Sequence, residues 1–205
     1  MTTVLVLGGA RSGKSRYAEH LLAAQPAVRY VAPGPLPDPA VDPEWAARVR
    51  AHQRSRPAGW ETVETGDVPG VLRRTDVPVL VDCLGTWVAR LLDDARSWDD
   101  RAGAERLLAE QSRALVSALA SARSHVVLVS NETGLGVVPA SPSGRLFRDG
   151  LGRVNAAVAD VCERVALVVA GRVWELGDQP RIAQTPRLAP TTWLGPTTPT
   201  AGPGA

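Results

Sequence analysis

Lys14 is the only lysine in a 205-residue chain that holds 23 Lys and Arg residues, so every other strong base is an arginine. It stands in GGARSGKS, Gly8 to Ser15, directly behind the apolar run Val4 to Leu7. The spacing G-x-x-x-x-G-K-[ST] puts Gly8, Gly13, Lys14 and Ser15 at the fixed positions of a phosphate-binding loop between a strand and a helix. In such a loop the glycines let backbone N–H groups turn toward phosphate oxygens, and the positive end of the next helix adds to them. Lys14 then reaches the outer phosphates of a nucleotide, and Ser15 holds Mg²⁺. An ammonium is a compact point charge that fits under a tight loop, whereas a guanidinium is wide and forked, which accounts for lysine at this one position. The competing reading, a glycine-rich turn with a coincidental lysine, must place the chain's one lysine there by chance.

Two carboxylates follow apolar runs. Asp82 closes VLVD, and Glu132 lies just past LVSN. Either can help hold Mg²⁺ or act on a nucleophile, as the acidic residue after a second strand does in phosphate-loop enzymes. Helix capping is the plainer role for Asp82, because a helical pattern begins behind it.

A third stretch, EWAARVRAHQRSRP (Glu44 to Pro57), carries His52 among Arg48, Arg50, Arg54 and Arg56. Trp45, Val49 and His52 fall at i, i+4 and i+7, on one helical face. One account makes His52 the edge of a core-facing stripe with solvated arginines beside it. The other uses the charges: neighbouring cations disfavour imidazolium and leave a free lone pair, and they neutralise a polyphosphate brought to that nitrogen. A histidine that attacks phosphorus needs those surroundings. The residues alone leave both accounts open. His20, behind the phosphate loop, and His125, opening a strand, read as structural.

The elements that position these groups alternate. Val4 to Leu7, Arg29 to Val31, Val79 to Val81, Val126 to Val129 and Ala166 to Ala170 are short apolar runs without a polar face, as in strands buried on both sides of a parallel sheet. WETVE, Trp60 to Glu64, is a weaker strand. Helical patterns cover Lys14 to Ala24, Pro43 to Arg56 (with Asp42 as N-cap), Gly85 to Ala95, Arg101 to Arg123 and Arg145 to Glu163. Strands alternating with crossover helices predict an α/β sheet with helices on both faces. VALVVA and VWEL are separated only by Gly171-Arg172, too short for a parallel crossover, so the last strand is expected antiparallel at the sheet edge.

At this length the chain forms one domain, expected over 1–176. From Gly177 the chain is rich in Pro, Thr and Gly without apolar periodicity, and 177–205 is expected to be a disordered tail. The net charge of +2 and nine aromatic residues give no basis for a nucleic-acid track. No apolar run approaches the roughly 18 residues of a membrane span, and the N-terminus has no signal-peptide pattern. Cys83 and Cys162 lack metal-type spacing and read as buried thiols, so a cytoplasmic protein is expected. A switch GTPase is excluded: it selects guanine with Asn-Lys-x-Asp, and no second lysine exists.

Together GGARSGKS, AARVRAHQRSRP, SNETGLGVVP and FRDGLGRVN, in this order, resemble the bifunctional adenosylcobinamide kinase / adenosylcobinamide-phosphate guanylyltransferase family of cobalamin (vitamin B12) biosynthesis. The resemblance spans Thr3 to Leu176. It implies a RecA-like phosphate-loop fold and two reactions. A γ-phosphate from ATP or GTP moves to adenosylcobinamide; GMP from GTP is then carried on a histidine to the phosphorylated product, giving adenosylcobinamide-GDP. By position, His52 matches the guanylylated histidine. Gly8, Gly9, Ala10, Arg11, Ser12, Gly13, Lys14 and Ser15 match the nucleotide loop, and Gln53, Arg54, Ser55, Arg56, Glu64 and Asp82 match further guanine-nucleotide contacts. Pro33, Gly34 and Pro35 stand where the family has a hydroxyl-bearing contact and offer backbone groups alone; Asp82 replaces what is commonly Glu. A homotrimer is implied, with Mg²⁺ at Ser15 and Asp82. Two other readings remain: a single-activity small-molecule kinase with a structural His52, and a nucleotide-dependent binding module that turns nothing over.

Overall fold

In the computed structural model, residues 1–35, 38–54, 56–57, 59–177, 179 and 181 are described, with the backbone alone at 45, 48 and 52. The elements are β1 (Thr3–Gly8), α1 (Lys14–Leu21), β2 (Val28–Ala32), α2 (Pro43–Arg54), β3 (Trp60–Glu64), α3 (Val68–Arg74), β4 (Val79–Asp82), α4 (Leu84–Asp94), α5 (Arg101–Ala120), β5 (Val126–Asn131), α6 (Pro142–Ala159), β6 (Arg164–Val169) and β7 (Arg172–Glu175). The seven strands form one sheet in the order β3-β2-β4-β5-β1-β6-β7. All pairs are parallel except β6–β7.

Each central strand is buried on both faces because its two sets of alternating side chains feed two cores. Leu5, Val79, Val81, Val126 and Leu128 pack with the helices α3 to α6. Val4, Val6, Leu80, Val127 and Val129 pack on the other side with Ala18 and Leu22, at α1 and its end, and with Tyr30 and Trp60. The α/β architecture and the antiparallel edge are as the sequence predicts.

Three details differ. The patterns miss α3, because Pro69 and Gly70 read as a turn. In fact Asp67 caps the helix by accepting a hydrogen bond from Gly70 N at 2.9 Å, Pro sits in the first turn where no N–H is needed, and Val68, Val71 and Leu72 are buried. The edge turn is Ala170-Gly171 rather than Gly171-Arg172: both have positive φ (49° and 73°), and Arg172 already pairs with Val169. Asp82 does not cap α4; Cys83 is its N-cap residue. Of the expected stripe, Val49 is half-buried on α2, while the side chains of Trp45 and His52 and most of the expected tail lie outside the described residues.

Because the strands are parallel, β1, β2, β4 and β5 end on the same edge. Gly8, Ala32, Asp82 and Asn131 therefore lie along one line of strand ends, where open α/β sheets place ligands.

Candidate functional site

The chain turns from β1 into α1 through the phosphate loop. Gly8 has to be glycine: a Cβ there would stand 2.5 Å from Ser12 Oγ and 2.7 Å from the Val168 carbonyl oxygen. Gly13, at φ 99°, is the N-cap of α1. Lys14 follows and is only 6% exposed, with Nζ donating to the Gly9 carbonyl at 3.2 Å. Among the described residues no carboxylate pairs with it. A buried ammonium without a counter-ion is costly unless an anion arrives. Ser12 Oγ is likewise buried without a hydrogen-bond partner.

Above the loop opens a cleft of ≈ 820 Å³. Arg11, Lys14, Ser15 and Arg16 form one wall, and Glu44 and Ala47 of α2 stand with Gly171 of the edge turn on the others. Among the described residues the cleft thus has three cationic side chains against one carboxylate, at a helix N-terminus. The edge turn is tied to the loop by Gly171 N, which donates to the Ser12 carbonyl at 2.9 Å. His52 belongs to the same helix as Ala47, five residues on.

Asp82 anchors a second cluster. Its Oδ2 accepts a hydrogen bond from the Tyr30 hydroxyl at 2.9 Å, and Tyr30 is 2% exposed. Burial, then the Asp82 charge, raises the pKa of that hydroxyl well above its usual value, so Tyr30 stays a donor. The Arg56 guanidinium lies 3.5 Å from the Tyr30 ring centroid, and its Nη1 donates to Thr62 Oγ1 at 2.6 Å. From α1, the Glu19 carboxyl has its pKa raised by burial and next by the Asp82 charge, with Arg56 opposing. Burial and Asp82 likewise raise the Cys83 thiol, whose Sγ faces Asn131 Oδ1 at 3.6 Å. Buried Asn155 of α6 holds the end of β5, accepting from Ser130 Oγ at 2.6 Å and donating to the Asn131 carbonyl at 3.0 Å.

The residues expected to act divide between these two places. Gly8 to Ser15 form the loop. Pro33, Gly34, Pro35, Glu64 and Asp82 sit at or just past the ends of β2, β3 and β4, across β5 from that loop. Gly34 offers its carbonyl to Arg90 Nη1 at 3.3 Å, and Glu64 is exposed on the sheet's edge strand. Gln53 and Arg54 are exposed at the end of α2. Ser55 and the His52 side chain lie outside the described residues. Glu132 turns to its own loop: Oε1 accepts from Gly134 N at 2.6 Å while its backbone N donates to the Gly8 carbonyl at 3.1 Å.

Sequence reasoning missed Arg16, Glu44 and Gly171 as cleft residues and Tyr30 and Asn155 as supports. Arg16 was legible two residues past Lys14, but nothing local marks a tyrosine inside an apolar strand as the partner of an aspartate 52 residues away. Among the described residues, no three His, Cys, Asp or Glu gather into a metal cage.

Residues 4–176 match the family described as "Cobinamide kinase / cobinamide phosphate guanyltransferase". The chain is 39% identical over 178 residues to the "Bifunctional adenosylcobalamin biosynthesis protein CobU" of Salmonella typhimurium, covering 82% of this chain and 96% of that one. It is 40% identical to the Escherichia coli protein of the same name, with the same coverage. Against the "Bifunctional adenosylcobalamin biosynthesis protein CobP" of Pseudomonas aeruginosa it is 39% identical over 183 residues, 86% of this chain and 98% of that one. Among solved structures, the P4 protein from bacteriophage phi6 in complex with ADP is similar at a TM-score of 0.45 and 18% identity, over 84% of this chain and 52% of that one.

Proposed function

The chain belongs to the cobinamide kinase / cobinamide phosphate guanyltransferase family, and on that footing we propose how its residues divide the two reactions. It phosphorylates cobinamide and transfers a guanylyl group to the phosphorylated product. In the first step the hydroxyl oxygen of the aminopropanol arm of adenosylcobinamide attacks the γ-phosphorus of ATP or GTP, and the nucleoside diphosphate leaves. In the second, a His52 ring nitrogen attacks the α-phosphorus of GTP and pyrophosphate leaves. A phosphate oxygen of adenosylcobinamide phosphate then displaces His52, giving adenosylcobinamide-GDP and the free histidine.

The observation that carries this reading is the buried, unpaired ammonium of Lys14 under a loop of backbone donors at a helix N-terminus. A polyphosphate supplies the missing charge, and Arg11 and Arg16 flank it. Ser15 and Asp82 are the residues to hold Mg²⁺, which supplies charge neutralisation on the phosphates. For the histidyl step, support comes from α2, whose Ala47 lines the same cleft. Gln53, Arg54, Ser55, Arg56, Glu64 and Pro33 to Pro35 contact the guanine nucleotide in this proposal. The acting unit is 1–176, a cytoplasmic homotrimer, with 177–205 a tail dispensable for both reactions.

Lys14→Arg tests the loop. We expect γ-phosphoryl transfer to adenosylcobinamide to fall about a hundredfold or more, with the melting temperature held. Turnover within a few-fold of the parent would contradict the phosphate contact.

A further inference from the structure

The motif SNETGLGVVP has no part in the chemistry above, yet its loop is unusual. Leu135, Val137 and Val138 are 84%, 95% and 60% exposed. Three aliphatic side chains within four residues stand in water. The loop is not a loose excursion, because it is pinned at both ends. At its start Glu132 binds Gly134 N, and at its end Arg145 Nη1 donates to the Pro139 and Ala140 carbonyls at 2.9 and 2.7 Å. Its root is also fastened to the phosphate loop through the hydrogen bond from Glu132 N to the Gly8 carbonyl.

We propose that Leu135, Val137 and Val138 form the docking surface for the corrin ring of the acceptor substrate. The inference rests on the family reading of the two reactions and names the part of the protein that holds the second substrate. The nucleotide cleft, with Arg11, Lys14 and Arg16 on its wall, suits phosphates. The acceptor hydroxyl has to reach the γ-phosphate along the strand ends. The loop leaves β5, the strand between β1 and β4, so its root stands between the phosphate loop and Asp82. A corrin ring is broad, with methyl groups along a rim of amide side chains, and an exposed aliphatic surface suits that rim. Gly134 and Gly136, the latter with open space around its Cβ position, let the surface adapt to the ring.

The test compares the parent with Leu135→Ser/Val137→Ser and with Val161→Ser, an exposed valine past the end of α6. Three quantities are measured on the full chain: KM for adenosylcobinamide, incorporation of label from α-labelled GTP without corrinoid, and mass by light scattering. The expected result is a KM raised about tenfold or more in the double variant alone, with GTP labelling and mass unchanged. An unchanged KM, or an equal rise in Val161→Ser, overturns the docking surface and leaves the two-reaction reading intact. A fall in mass that accompanies the rise in KM also overturns it and assigns the loop to contact between copies. Absence of corrinoid turnover in the parent contradicts the family reading itself.

Discussion

The phosphate loop and the Asp82 cluster lie on the same line of strand ends, one strand apart, yet they treat charge in opposite ways. In the loop, Lys14 is buried and, among the described residues, has only a carbonyl for company, while Ser12 Oγ has no partner there. In the cluster, Asp82 is satisfied by Tyr30, and Arg56 rests on the Tyr30 ring and binds Thr62. The first region stores an electrostatic demand that only a ligand meets. The second meets more of its own, with Arg56 Nε left, among the described residues, as its buried atom without a partner. A nucleotide therefore enters the loop without displacing protein contacts, whereas engaging Arg56 requires it to leave a ring and a hydroxyl it already holds.

The largest expected effect separates the regions by their cations. Lys14→Ala should cost about a hundredfold or more in phosphoryl transfer while leaving thermal stability unchanged or raised, because an uncompensated buried charge is removed. Arg56→Ala should lower stability by about 1 kcal/mol through loss of its ring contact and hydrogen bond. Thermal melts alongside turnover check both, and a marked loss of stability in Lys14→Ala would break the contrast.

Tyr30→Phe sharpens it from the other side. Removing one hydroxyl leaves Asp82 Oδ2 without its donor, and the apparent Mg²⁺ requirement of phosphoryl transfer should rise about tenfold, as for losses of groups that orient metal ligands. A titration of rate against Mg²⁺ measures this; an unchanged midpoint would make the tyrosine a packing residue only.

The smallest effect belongs to Asp67, remote from both regions. Burial pushes its carboxyl up, but the hydrogen bonds from Arg74 and Gly70 N and the charges of Arg74 and Arg73 outweigh it and hold the pKa below the ordinary value. A lowered folded pKa gives stability that is present above the unfolded value, near about 3.9, and lost as pH falls through the folded one. Asp67→Ala should therefore cost about 1 kcal/mol at neutral pH, with the difference from the parent closing in acid. Denaturant midpoints at two pH values would show it.

Legibility follows range. The apolar runs that became β1, β4 and β5 and the loop behind β1 were readable because local pattern and local chemistry agree there. The helix α3 was not, since Pro69 and Gly70 signal a turn in sequence while Asp67 and the buried Val68, Val71 and Leu72 decide for a helix in place. Of the two roles open to Asp82 in the sequence, capping falls instead to Cys83, and Asp82 is drawn to a tyrosine on the neighbouring strand. In the cleft, Gly171 arrives by strand pairing across the whole chain, and Glu44 by the lean of α2 over the loop; neither is encoded in nearby spacing.

The central claim, γ-phosphoryl transfer and GMP transfer through a guanylylated His52 on one chain, is tested most directly by labelling. Full-length protein is incubated with Mg²⁺ and GTP labelled on the α-phosphate, and separately on the γ-phosphate. The account predicts acid-labile, alkali-stable label on the protein from the α position alone, absent in His52→Ala, while that variant retains phosphorylation of adenosylcobinamide. Label that persists in His52→Ala, or no protein label from either position, would contradict it and leave a kinase with a structural histidine.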